Sequence, residues 1–138
     1  MYLDHPDPAA RRWRQKYPRF PGVAECVRLI KDGKSRGSWA EIIVNELAEN
    51  VADCLVDLIE AFRSESNGDV QLYVVMALDL ARVPASVPFL EETLAQGDPR
   101  LVPYVESALR GIDTPESRTA LWNHRHAGAA GARKFEGS

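Results

Sequence analysis

Residues 70–82, VQLYVVMALDLAR, and residues 101–113, LVPYVESALRGID, are one phrase written twice. Val70, Val74, Ala77, Leu78 and Ala81 are each followed, 31 residues later, by Leu101, Val105, Ala108, Leu109 and Ile112. The punctuation returns at the same interval, since Pro84, Ser86 and Leu90 recur as Pro115, Ser117 and Leu121. The register therefore survives a helix, a turn and a second helix. Such a period predicts stacked helical pairs, because one pair alone cannot bury its apolar face.

Working outward, the helix over Asp69 to about Arg82 is apolar nearly all round. Leu72, Tyr73, Val75, Met76 and Leu80 add to its main face, as suits a central core helix covered on several sides. Its partner spans roughly Pro84 to Gln96, with Val87, Leu90 and Leu94 inward and Gly97 as the C-terminal cap. In the second copy Pro103 removes a backbone bond, so the helix begins near Leu101 or kinks there. Gly111 is expected to end it, and Thr114 and Pro115 to begin the last helix.

Shifted back by 31, Trp39, Ile43 and Leu47 match Val70, Val74 and Leu78, but Glu46 and Asn50 stand where the later copies lead one to expect alanine. This is a degenerate copy. Ser38 and Glu41 read as a capping box, and the pattern is helical through Phe62 with a break near Glu49 to Asp53. At the N-terminus, Asp7 and Pro8 open a helix that runs to about Tyr17. Pro18 and Pro21 then impose an extended turn, and a second helix carries Val23, Val27 and Ile30 on one face.

The residues Gly68, Asp69 and Val70 leading to Ala77 and Leu78, followed by Val87, Pro88 and Leu90, resemble the HEAT-like repeat family in its short, phycobilisome-lyase type. Gly97, Asp98 and Pro99 leading to Ala108, Leu109 and Gly111 carry the same resemblance in the second copy. It covers residues 68–122 and departs from the family at Gln71, Arg100 and Tyr104. The resemblance implies an all-α fold, an α-solenoid of antiparallel helix pairs, here about seven to eight helices. It implies no single activity. The expected organisation is one helical-repeat domain over residues 1–126, with capping helices in 1–36 and helix pairs in 38–126. A Gly-rich, non-periodic segment, 127–138, is expected as a mobile tail.

The chain has 138 residues, 45% hydrophobic and 27% charged, enough for a core without metal or disulfide support. Its longest apolar run, Leu72 to Leu78, is seven residues, against the ~20 of a membrane span. Met1 to Pro6 lack the regions of a secretory signal. The expectation is a cytoplasmic protein without membrane attachment. Cys26 and Cys54 have no zinc spacing and read as reduced core thiols. Charge is unevenly placed: residues 1–36 carry +5, residues 37–117 carry −11 and residues 118–138 carry +3. An acidic body of that size repels phosphate and favours basic partners.

No nucleophile with a base and no carboxylate pair in a pocket stands out, and the chain is read as a non-enzyme without cofactor or metal. His124 and His126, two apart on a helix, point in different directions. Gly33, Lys34 and Ser35 imitate the end of a phosphate-binding loop, but Arg28 occupies the place of its leading glycine. The repeat register suggests a different site. Glu60 and Glu91 are 31 apart, Asp57 precedes Glu60 by one turn, and Glu92 adjoins Glu91. If second helices line a concave face, as the resemblance implies, these four carboxylates form an acidic strip. Trp122 continues the row as an aromatic anchor or as cover for an open end. The expected function is a protein-interaction module that binds a basic partner through this strip, such as a stoichiometric inhibitor of the toxin-immunity kind in bacteria. The alternative is nucleic-acid binding through Arg11, Arg12, Arg14, Lys16 and Arg19, interleaved with Trp13, Tyr17 and Phe20. The acidic body weighs against it, as does a plain reading of this helix as an amphipathic cap with Trp13 and Tyr17 inward.

Overall fold

A computed structural model describes the backbone of residues 7–33 and 38–136, and their side chains except those of 38 and 128–136. The described residues form eight α-helices and no strand. These are α1 (Pro8–Lys16), α2 (Val23–Lys31), α3 (Ser38–Glu49), α4 (Val51–Ser64), α5 (Gly68–Ala81), α6 (Val87–Gln96), α7 (Val102–Ile112) and α8 (Pro115–Glu136). A 3-10 turn, Pro84–Ser86, leads into α6. No helix among these residues is long and apolar enough to cross a membrane. Most of the Gly33-Lys34-Ser35 segment and the Ser38 side chain lie outside the described residues.

Most boundaries have identifiable local causes. The Asp7 carboxylate accepts from the Ala9 amide at 2.9 Å, with Pro8 at the first helical position. The break between α3 and α4 falls at Asn50, whose side chain donates back to the Glu46 carbonyl at 2.8 Å. Asn67 caps α5, its side-chain oxygen accepting from the amides of Asp69 and Val70 at 2.9 and 3.3 Å. Gly97 ends α6 in the left-handed conformation with φ 74°. As expected, α7 begins beside Leu101, at Val102, and Pro103 sits in its first turn, where its missing amide has no intrahelical partner to lose.

Gly111 does not end α7. The helix continues to Ile112 and stops at Asp113, which takes the left-handed conformation at φ 52°. A short polar side chain tolerates that conformation. Gly111 supplies space instead, since a Cβ there would run into the Arg82 side chain. The duplicated turn also repeats in its backbone and hydrogen bonds. Arg82 and Asp113, 31 apart, both have φ 52°. The Ser86 hydroxyl donates to the Val83 carbonyl at 2.6 Å, and the Ser117 hydroxyl donates to the Thr114 carbonyl at 2.9 Å. Both serines are fully buried.

The chain divides into two compact units, Met1–Ala81 and Arg82–Ser138. In the first, α5 packs against α2, α3 and α4, and α1 lies on α3. Val70, Val74, Val75, Ala77 and Leu78 are buried, as a core helix requires, but Leu80 is 57% exposed. Cover therefore falls short of the whole circumference. Cys26 and Cys54 are buried free thiols, pushed up by burial to about 12 and about 11. In the second unit α6, α7 and α8 pack on one another around Leu90, Leu94, Leu101, Val105 and Leu109. Where a tail was expected from Ala127, α8 continues to Glu136. Ala127, Ala129, Ala130 and Ala132 favour helix and offset Gly128 and Gly131.

Candidate functional site

In the first unit a groove of about 740 Å³ runs between α2 and α4. Val23, Ala24, Val27 and Ala61 give it apolar wall, and its remaining lining is largely charged. The α2 cations are already neutralised. Arg28 donates to Glu25 at 2.6 and 2.9 Å and to Asp32 at 3.0 Å, and Lys31 reaches Glu65 at 3.3 Å. The Arg28 guanidinium, helped by the Tyr17 hydroxyl at 2.6 Å, pulls the Glu25 carboxyl down to about 2. Burial, and then the bond to Glu25, push the Tyr17 hydroxyl up.

Asp57 and Glu60 on α4 are different. They line the same groove three residues apart, so they share a helix face. Both are exposed, and neither side chain has a hydrogen bond or ion pair among the described residues. The groove thus holds two carboxylates that no described cation pairs.

Glu91, Glu92 and Trp122 belong to the second unit. Glu91 lines a cleft of about 360 Å³ between α6 and α8, with Leu94 and Ala120 at its base and Asn123 and His124 on the α8 side. Glu92 is exposed and outside the lining. Trp122 is 58% exposed. Its ring stacks on His126 with centroids 3.5 Å apart and an interplanar angle of 19°, and the His126 Nδ1 lies 2.8 Å from the Trp122 carbonyl. The sequence-predicted row is thus partly assembled within units: Asp57 with Glu60 in one groove, Glu91 in a cleft, Glu92 and Trp122 outside both. His124 lines the cleft while His126 lies on Trp122, so the two imidazoles do diverge. No group of three His, Cys, Asp or Glu side chains among the described residues is placed to hold a metal ion.

The basic N-terminal set is split. Arg12, Lys16 and Arg19 are exposed and Arg11 is half-buried. Lys16 lies 5.6 and 5.9 Å from the ring centroids of Tyr17 and Trp39. Arg14 turns inward: its guanidinium donates to the Glu46 carboxylate and, at 2.9 Å, to the Tyr17 carbonyl. Trp13 is fully buried, edge-on to Trp39 at 5.3 Å, and its indole N–H donates to the same Glu46 carboxylate at 2.8 Å. Glu46, 2% exposed, is the residue that sequence reasoning passed over. Its signal was in view, because a carboxylate at an inward register position requires donors brought from elsewhere. No family model matches the chain, and comparison with curated proteins and with solved structures finds no match either.

Proposed function

We propose that the chain is a non-catalytic protein-binding module of HEAT-like α-solenoid build, and that the α2/α4 groove receives basic side chains of a partner protein. Support for the solenoid comes from the 31-residue register and from a turn that repeats in φ and in its serine hydrogen bond. Support for a basic partner comes from one observation. Among the described residues, Asp57 and Glu60 line the groove without an ion pair, whereas the groove's Asp32 and Glu65 are engaged by Arg28 and Lys31. A stoichiometric inhibitor of a basic toxin, acting in a bacterial cytoplasm, fits this chemistry. The nucleic-acid reading draws less support, since Arg14 is spent on Glu46 and residues 37–117 carry −11.

Affinity capture with the full chain tests the reading. The wild type is expected to hold a basic protein in one-to-one ratio at low salt and to release it as salt rises. Reversing both charges, Asp57→Lys with Glu60→Lys, should weaken capture by roughly tenfold or more, the scale of close charge pairs at interfaces. Capture unchanged by both reversals would remove the acidic groove from the mechanism.

A further inference from the structure

The two hollows are one groove in two chemical versions. All seven residues lining the α6/α8 cleft stand 63 positions after a residue lining the α2/α4 groove. Arg28, Lys31 and Asp32 on α2 return as Glu91, Leu94 and Ala95 on α6. Asp57, Glu60 and Ala61 on α4 return as Ala120, Asn123 and His124 on α8, and Ser64 returns as Ala127. The walls correspond residue by residue, and their chemistry does not.

Charge has almost vanished from the second version. Five charged residues of the first groove are replaced by two alanines, a leucine, an asparagine and a single carboxylate, Glu91. Leu94 and Ala120 are buried and form an apolar base, and the small Ala95 and Ala127 leave it open. Glu91 is exposed at the rim, without a hydrogen bond or ion pair among the described residues. A short cation would leave the apolar base wet, and a wholly apolar group would strip water from Glu91 and leave it unpaired. A long aliphatic stem ending in a cation satisfies both.

We infer that the α6/α8 cleft is a second partner site, which takes one lysine or arginine side chain with its stem on Leu94, Ala95, Ala120 and Ala127 and its cationic head on Glu91. Its biological meaning rests on the reading of the chain as a binder of a basic protein. The cleft itself is testable without that partner.

The full chain is titrated with n-butylguanidinium, guanidinium and n-butanol while the methyl signals of Ala95, Ala120 and Ala127 are followed by NMR. Butylguanidinium should move all three signals at millimolar concentration, with both truncated probes binding more weakly. Glu91→Gln should weaken butylguanidinium about three- to fivefold, the scale of an exposed ion pair. Ala95→Leu, which fills the cleft from an exposed position, should abolish the shifts. Asp57→Lys with Glu60→Lys should leave them unchanged, so that loss of partner capture in that variant, with probe binding intact, separates the two readings. Butanol binding as well as butylguanidinium, indifference to Glu91→Gln, or no shift of these methyls would overturn the inference.

Discussion

Glu46 in α3 and Ala108 in α7 stand two 31-residue steps apart, with Ala77 of α5 between them, and all three are buried. One is a carboxylate and the others are methyl groups. The difference lies in what each unit lays across the position. In the first unit α1 packs on α3 and delivers the Trp13 indole N–H and the Arg14 guanidinium to the Glu46 carboxylate. In the second unit the described core is built on Phe89, Leu90, Leu94, Leu101, Val105 and Leu109, and its buried polar side chains are the hydroxyls of Ser86, Thr93 and Ser117. Register decides which positions face inward, and the neighbouring element decides what chemistry can stand there.

The sharpest way to break this comparison is to move the carboxylate. Ala108→Glu places a charge in a core whose buried hydroxyls, Ser86, Thr93 and Ser117, already donate to backbone carbonyls, and should cost about 3–5 kcal/mol in urea unfolding. Glu46→Ala leaves the Arg14 guanidinium buried without its counter-ion, and should cost about 3 kcal/mol. Replacing the pair together, Glu46→Leu with Arg14→Met, should recover most of that loss, since a buried pair is nearly matched by apolar side chains of similar size. If Ala108→Glu costs under about 1 kcal/mol, an ordinary surface effect, equivalence of the two positions carries no energetic weight.

The same contrast explains how much of the molecule was legible in the chain. Helical order, the break at Asn50, the inward Trp13, the Gly97 cap and the internal Val74 and Leu78 follow from local periodicity and caps, which neighbouring residues specify by themselves. The Glu46 network was not legible because its donors come from 33 and 32 residues earlier, and periodicity says nothing of which element returns. The match between the two hollows was not legible for a subtler reason. Glu60 and Glu91 were compared at a step of 31, yet the linings correspond at 63, one residue more than two such steps. One residue turns an α-helix by ~100°. The counterpart of Glu60 is accordingly Asn123 and not Trp122, while Glu91 stands in the place of Arg28.

A smaller effect tests the repeated turn. Arg82 and Asp113 share φ 52°, but only the second copy has a glycine two residues before its left-handed position; the first has the exposed Leu80. Gly111 is there because the Arg82 side chain crosses it. Gly111→Ala should bring no net gain in stability, the helix-forming advantage of alanine being offset by displacement of Arg82. With Arg82→Ala as background, the same change should stabilise by about 1 kcal/mol, the ordinary difference between the two residues in a helix interior. Equal effects in both backgrounds, read from unfolding midpoints, would mean that the glycine is not there to make room.

The least effect separates the charged groove from its apolar counterpart by pH. Glu25 and Arg28 pair in the first unit, whereas the residues 63 positions on are Pro88 and Glu91, which cannot. The Glu25 carboxyl is held at about 2 against an ordinary 4.5, first by the Arg28 guanidinium and then by the Tyr17 hydroxyl. A depressed carboxyl stabilises the fold fully above its unfolded value, and that contribution disappears as pH falls through the folded one. Arg28→Ala should therefore lower the unfolding midpoint slightly at neutral pH, and its gap from the wild type should close as pH is taken from 4.5 towards 2. Arg28 is exposed and Glu25 half-buried, so water and salt still reach the pair and the gap at neutral pH should also shrink in high salt. A gap that stays constant with pH would mean that Arg28 acts through the packing of its stem along α2. The charge contrast between the two grooves would then contribute nothing to stability.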